Sequence, residues 1–157
     1  YIRLAKGGDK VVSNPDLDFE IGKAILMRPP KDGLFITTGV MAQKALEASS
    51  QLLLEGIDCG VLHMHTVKPL DHNALINLIP KVNAVVTIEE HYRIGGLGSA
   101  VLETCSDLIP KHTSKITRLG FPDKFADQYG SQETLTNYWG INVESIKNAM
   151  LSKLNNK

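Results

Sequence analysis

One stretch, Ala84 to Glu103 (AVVTIEEHYRIGGLGSAVLE), limits the folds open to this chain more than any other. Ala84 to Ile88 is an apolar, β-branched run of the kind that suits a strand buried on both faces of a parallel sheet. Glu89-Glu90-His91 follows as a polar cluster where such a strand would emerge. Gly95-Gly96-Leu97-Gly98-Ser99 comes next. Apolar residues at Leu97, Val101, Cys105 and Leu108 then lay one stripe along a helix that Pro110 closes. Strand, polar exit, glycine turn and helix make a βα unit. Open α/β sheets gather their sites outside the carboxyl ends of such strands. The candidate residues are therefore Glu89, Glu90, His91, Gly95, Gly96 and Gly98.

The rest of the chain keeps the same rhythm. Tyr1-Ile2-Arg3-Leu4 reads as the end of a strand with nothing before it, and Lys6 to Pro15 as a polar linker. A start in mid-strand without methionine has the look of a piece cut from something larger. Ala24 to Arg28 and Leu34 to Thr38 are short apolar runs joined by Pro-Pro-Lys-Asp-Gly. So short a connection implies an antiparallel pair, because a parallel crossover needs a dozen or more residues; the first run is then an antiparallel edge strand. Met41, Ala45, Ala48 and Leu52 mark a helix ended by Gly56, and Cys59 to His65 the next strand. Asp71 is placed to cap a short helix through Leu75, Ile76 and Ile79, stopped by Pro80. After the organising unit, Lys115 to Leu119 is a last strand and Gly120-Phe121-Pro122-Asp123 turns the chain outward. Ser131 caps a helix to Tyr138 closed by Gly140. Asn142 caps the final helix, with Val143, Ile146 and Met150 facing inward. The fold class expected is a three-layer α/β sandwich, mostly parallel with one antiparallel edge strand.

Composition narrows function by exclusion. Seventeen basic and seventeen acidic side chains give no net charge, so nothing points to nucleic acid or an anionic membrane. No apolar run nears the roughly 20 residues that cross a bilayer. Cys59 and Cys105 fall at apolar positions of a strand and a helix, which reads as two buried thiols in a reducing cytoplasm rather than a disulfide. His63 and His65 share a strand face, yet no third ligand is spaced to join them, so no metal site is expected. Glu89, Glu90 and His91 could serve as acid, base or ligand, but neighbours on a strand face opposite ways, and hydrogen bonding at the surface or an interface is the simpler reading. The glycines could expose helix amides to a phosphate. Their plainer role is to let the helix start close against a neighbouring backbone. The phosphate loop, the nucleophile elbow, the H-E-x-x-H helix and the dinucleotide fingerprint are all missing. So is any Gly-Asp-Gly followed by Asn-Asn, the pattern that holds magnesium and diphosphate in thiamine diphosphate enzymes.

Four segments in this order carry a family resemblance: Phe19-Glu20-Ile21-Gly22-Lys23-Ala24; His63-Met64-His65-Thr66-Val67-Lys68-Pro69-Leu70-Asp71; Thr87-Ile88-Glu89-Glu90-His91; and Gly95-Gly96-Leu97-Gly98-Ser99-Ala100-Val101. Together they resemble the C-terminal domain of transketolases, most closely the short bacterial and archaeal enzymes made as two chains. The same superfamily includes deoxyxylulose-phosphate synthases and the decarboxylase beta subunits of 2-oxo acid dehydrogenase complexes; Met64-His65-Thr66 and His91 favour transketolase among them. The resemblance implies a five-stranded mixed sheet in an α/β/α sandwich over residues 15–157. It makes residues 1–14 the end of a preceding pyrimidine-binding domain plus a linker. It implies a parent enzyme that uses thiamine diphosphate and magnesium to move a two-carbon ketol unit between sugar phosphates, with this part building the dimer. Partners would be the remaining transketolase domains or subunit, with the parent a homodimer. This chain alone would supply no catalytic group, bind no cofactor and be inactive. Arg3 would match an arginine near substrate phosphate. The alternative is a freestanding α/β module whose glycine turn after Tyr92 holds a phosphorylated ligand or a partner loop.

Overall fold

The computed structural model describes residues 1–4, 11–12, 16–17 and 19–155. The expected linker at 6–15 falls almost wholly outside them. Tyr1 to Leu4 form no ladder with the sheet. Five strands, β1 (Ile25–Arg28), β2 (Gly33–Thr37), β3 (Cys59–His63), β4 (Ala84–Tyr92) and β5 (Ile116–Phe121), lie in the order β1-β3-β2-β4-β5. β1 runs antiparallel to β3, and every other pair is parallel. Helices α1 (Met41–Leu54) and α5 (Val143–Asn155) cover one face, α2 (His72–Leu78) and α3 (Leu97–Leu108) the other. The short α4 (Gln132–Tyr138) precedes α5. This is the α/β/α sandwich with one antiparallel edge that the strand rhythm implied.

Two cores fill the space between layers. Phe35, Val61, Val86 and Ile88 point to one face and meet Met41, Ala45, Leu52, Ile146 and Met150. Leu34, Ile36, Leu62 and Val85 point to the other and meet Leu75, Leu97, Val101 and Cys105. Successive residues of β2 thus serve opposite cores, which is why its sequence has no polar alternation. Cys59 and Cys105 belong to different cores and both are free thiols, so the sheet itself separates them. Burial pushes the Cys59 thiol up to about 12 and Cys105 up to about 11, far from the thiolate form that reacts.

One pairing differs from the sequence reading. β1 and β2, joined by four residues, do not pair with each other: β3 lies between them. The link steps over the start of β3. Lys31 and Asp32 donate their backbone N–H to Asp58 O (3.4 and 2.8 Å), and Asp58 N–H donates to Asp32 Oδ2 at 2.7 Å. A Cβ on Gly60 would stand 2.6 Å from the backbone of Pro30. Glycine there lets the link cross, and local spacing alone cannot reveal a crossing.

Element ends shift as well. β3 stops at His63 instead of His65, β5 spans Ile116–Phe121, and β4 runs on through the polar cluster to Tyr92. Leu108, assigned to the buried stripe of α3, is exposed. The expected caps are present. Asp71 accepts from Ala74 N–H (3.0 Å), Ser131 from Thr134 N–H (3.1 Å), and Asn142 from Ser145 N–H (2.8 Å).

Candidate functional site

The glycine turn and the carboxyl end of β4 come together around one buried carboxylate. Glu89 is buried, and its oxygens accept the N–H groups of Leu97 (2.7 Å, Oε2) and Gly98 (2.9 Å, Oε1). Those amides open α3, whose Gly96 cap position has no side chain to offer. The strand therefore supplies the cap that the helix lacks, with charge placed where the helix dipole favours it. Burial raises the Glu89 pKa above its ordinary value. The two amides oppose that shift, as do the charges of His91 and Arg118.

Gly96 and Gly98 leave the room this arrangement needs. A Cβ on Gly96 would meet Glu89 Oε2 and stand 2.6 Å from Tyr92 O. One on Gly98 would lie 2.7 Å from Thr87 Oγ1 and 2.8 Å from Arg118 Cδ. Gly95 is different: its φ of 73° lies in the left-handed region, while the space around it is open. Close approach explains Gly96 and Gly98, and the backbone conformation explains Gly95.

Glu90 and His91 go elsewhere. Glu90 is half-buried and meets Arg3, whose Nη1 donates to Glu90 O (3.0 Å) and whose Nη2 lies 3.7 Å from Oε2. His91 is exposed, against Tyr92. Three neighbours in sequence thus face three environments, and no acid–base pair forms among them. His63 and His65 do share a side, with ring centroids 6.1 Å apart. His63 Nδ1 lies 3.4 Å from Thr37 Oγ1, His65 Nδ1 2.9 Å from Thr66 Oγ1, and Phe19 packs on the His65 ring. Among the described residues, no three His, Cys, Asp or Glu side chains converge to hold a metal.

His63 carries a pH dependence. Burial, with a smaller contribution from His65, brings its pKa down from 6.5 to about 4. The unfolded chain takes a proton near 6.5 that the folded chain refuses until about 4, so stability is full above that window and lost as pH falls through it. The loss is on the order of 3 kcal/mol. Glu89 acts oppositely, because its raised pKa makes stability fall as pH rises above 4.5. Subtracting the unfolding curve of His63→Asn from that of the parent isolates the histidine. The difference should grow between pH 6.5 and 4, and a flat difference would contradict the assignment.

Two cationic residues that sequence reasoning passed over also sit here. Arg93 follows β4 and Arg118 lies on β5, and both line a cleft of about 210 Å³ with Trp139. No spacing rule connects them, because they meet only through the pairing of β4 with β5.

Comparison with known proteins agrees with the fold. The profile of the family "Transketolase, C-terminal domain" matches residues 22–146. The chain is 36% identical over 149 residues to the 6-deoxy-6-sulfo-D-fructose transketolase subunit of Clostridium sp. strain MSTE9, covering 95% of this chain and 45% of that protein. It is 35% identical to the 1-deoxy-D-xylulose-5-phosphate synthase of Caldanaerobacter subterraneus subsp. tengcongensis, covering 94% and 23%. A solved structure described as a split-gene transketolase, an inactive tetramer of four beta subunits, superposes with a TM-score of 0.88 at 35% identity, over 98% of this chain and 49% of that one. The chain spans less than half the length of each.

Proposed function

The chain belongs to the transketolase C-terminal domain family, and on that premise we propose that it is the C-terminal part of a transketolase built from two kinds of chain. The whole enzyme would move a two-carbon ketol unit between sugar phosphates, with thiamine diphosphate and magnesium held by domains this chain does not contain. The contribution of residues 15–157 would be assembly of the enzyme as a dimer. Residues 1–14 would lead in from a pyrimidine-binding domain, and Arg3 would reach substrate phosphate. The similarity to a split-gene transketolase over nearly the whole chain supports the two-chain form.

The observation that carries the division of labour is the use made of Glu89. It is the one buried acid of the strand-exit cluster, and both its oxygens are taken by Leu97 and Gly98 amides. A carboxylate engaged twice in capping is poorly placed to shuttle protons. Tyr92 and Ile94, just beyond it, are exposed apolar residues suited to a subunit contact. Calorimetry of the chain with thiamine diphosphate and magnesium should show no saturable heat. A micromolar dissociation constant, worth about −8 kcal/mol, would mean that this part holds the cofactor and would overturn the division of labour.

A further inference from the structure

We propose that the cleft between the end of β5 and the α4–α5 junction is a binding site for a phosphate group, gripped by Arg93 and Arg118. The proposal goes beyond the role in assembly and stands on the following geometry.

Arg93, just past the end of β4, and Arg118, on β5, line one cleft, with Leu119, Trp139 and Ile141 as its apolar wall. Among the described residues, neither guanidinium has a carboxylate within ion-pair distance, whereas Arg3 and Arg28 each have one. Glu89 influences Arg118 electrostatically, but its oxygens are committed to the α3 amides. Two neighbouring cations in a chain of zero net charge are thus left for an anion from outside.

Arg118 is also held in position. Arg118 Nη1 donates to Arg93 O and to Ser99 Oγ, both at 3.1 Å, which anchors one end of the fork, while its other donors have no hydrogen-bond partner among the described residues. A Cβ on Gly98 would stand 2.8 Å from Arg118 Cδ, and one on Gly120 would stand 2.9 Å from Arg93 Cγ. Each arginine stem therefore lies over a glycine. Planar forks match the oxygens of phosphate in a way that a lysine cannot. The cleft, at about 210 Å³, falls below the roughly 300–1,000 Å³ of pockets for larger ligands. It suits phosphate itself or a small phosphomonoester and is too small for a nucleotide.

Trp139 is the only tryptophan of the chain and lines the cleft, so its fluorescence reads the site directly. The whole chain is titrated with inorganic phosphate and with phosphoglycolate, against chloride at equal ionic strength. Saturable emission changes with both ligands are expected, or with phosphoglycolate alone if the organic part contributes. Affinity should fall at least tenfold in Arg93→Gln, an exposed position whose loss leaves the fold intact. Arg118→Lys, which keeps the charge and loses the fork, should also weaken binding. Lys31→Gln, at the opposite end of the sheet, should bind like the parent. No saturable change with either ligand, an equal response to chloride, or undiminished affinity in Arg93→Gln would overturn the proposal. So would an equal loss in Lys31→Gln, which would reduce the effect to overall charge.

Discussion

Replacing Glu89 by alanine is expected to lower the unfolding free energy by about 3 kcal/mol or more. The substitution removes both acceptors from the Leu97 and Gly98 N–H groups, which are 2.7 and 2.9 Å from its oxygens in a buried setting. Each buried donor left unpaired costs about 1–3 kcal/mol. No other cap stands in reserve, because Gly96 offers no side chain. Glu89→Gln should cost about half as much, since one amide oxygen still accepts one N–H while the NH₂ faces the other. Gly96→Ala attacks the same contact from the opposite side: its methyl would displace the Glu89 carboxylate, an overpacking worth about 1–3 kcal/mol. Because both changes disturb one interaction, the double variant should lose less than the sum of the two. Urea unfolding of the parent, both single variants and the double variant measures all of this. A Glu89→Ala protein within 1 kcal/mol of the parent, or strict additivity with Gly96→Ala, would show that the carboxylate is not the cap.

What the sequence disclosed and what it hid follow from the range over which each signal acts. Asp71, Ser131 and Asn142 sit three residues before the amides they cap, so their roles are legible from spacing. Glu89 caps α3 from eight and nine residues away, on a strand, and no cap pattern includes such a residue. Read locally it was a polar residue at a strand exit. The β-branched runs revealed the parallel strands, but the place of β1 depended on a crossing between Pro30 and Gly60. The arginine cleft was invisible for the same reason, since Arg93 and Arg118 are brought together by β4–β5 pairing. Leu108 is exposed although the apolar periodicity of α3 includes it, because burial along that helix stops at Cys105.

The division of labour is tested most directly by removing residues 15–157 from the assembled enzyme. Ketol transfer is then measured beside sedimentation, over a range of protein concentrations. If this part only assembles, its loss should weaken the dimer, so activity should fall steeply on dilution. Mass action requires recovery at high concentration, where truncated subunits still pair. The expected result is a turnover number close to that of the intact enzyme wherever sedimentation shows a dimer. Truncated dimers that have lost activity by orders of magnitude would place a catalytic group in this domain, and an intact assembly without ketol transfer would contradict the transketolase reading itself.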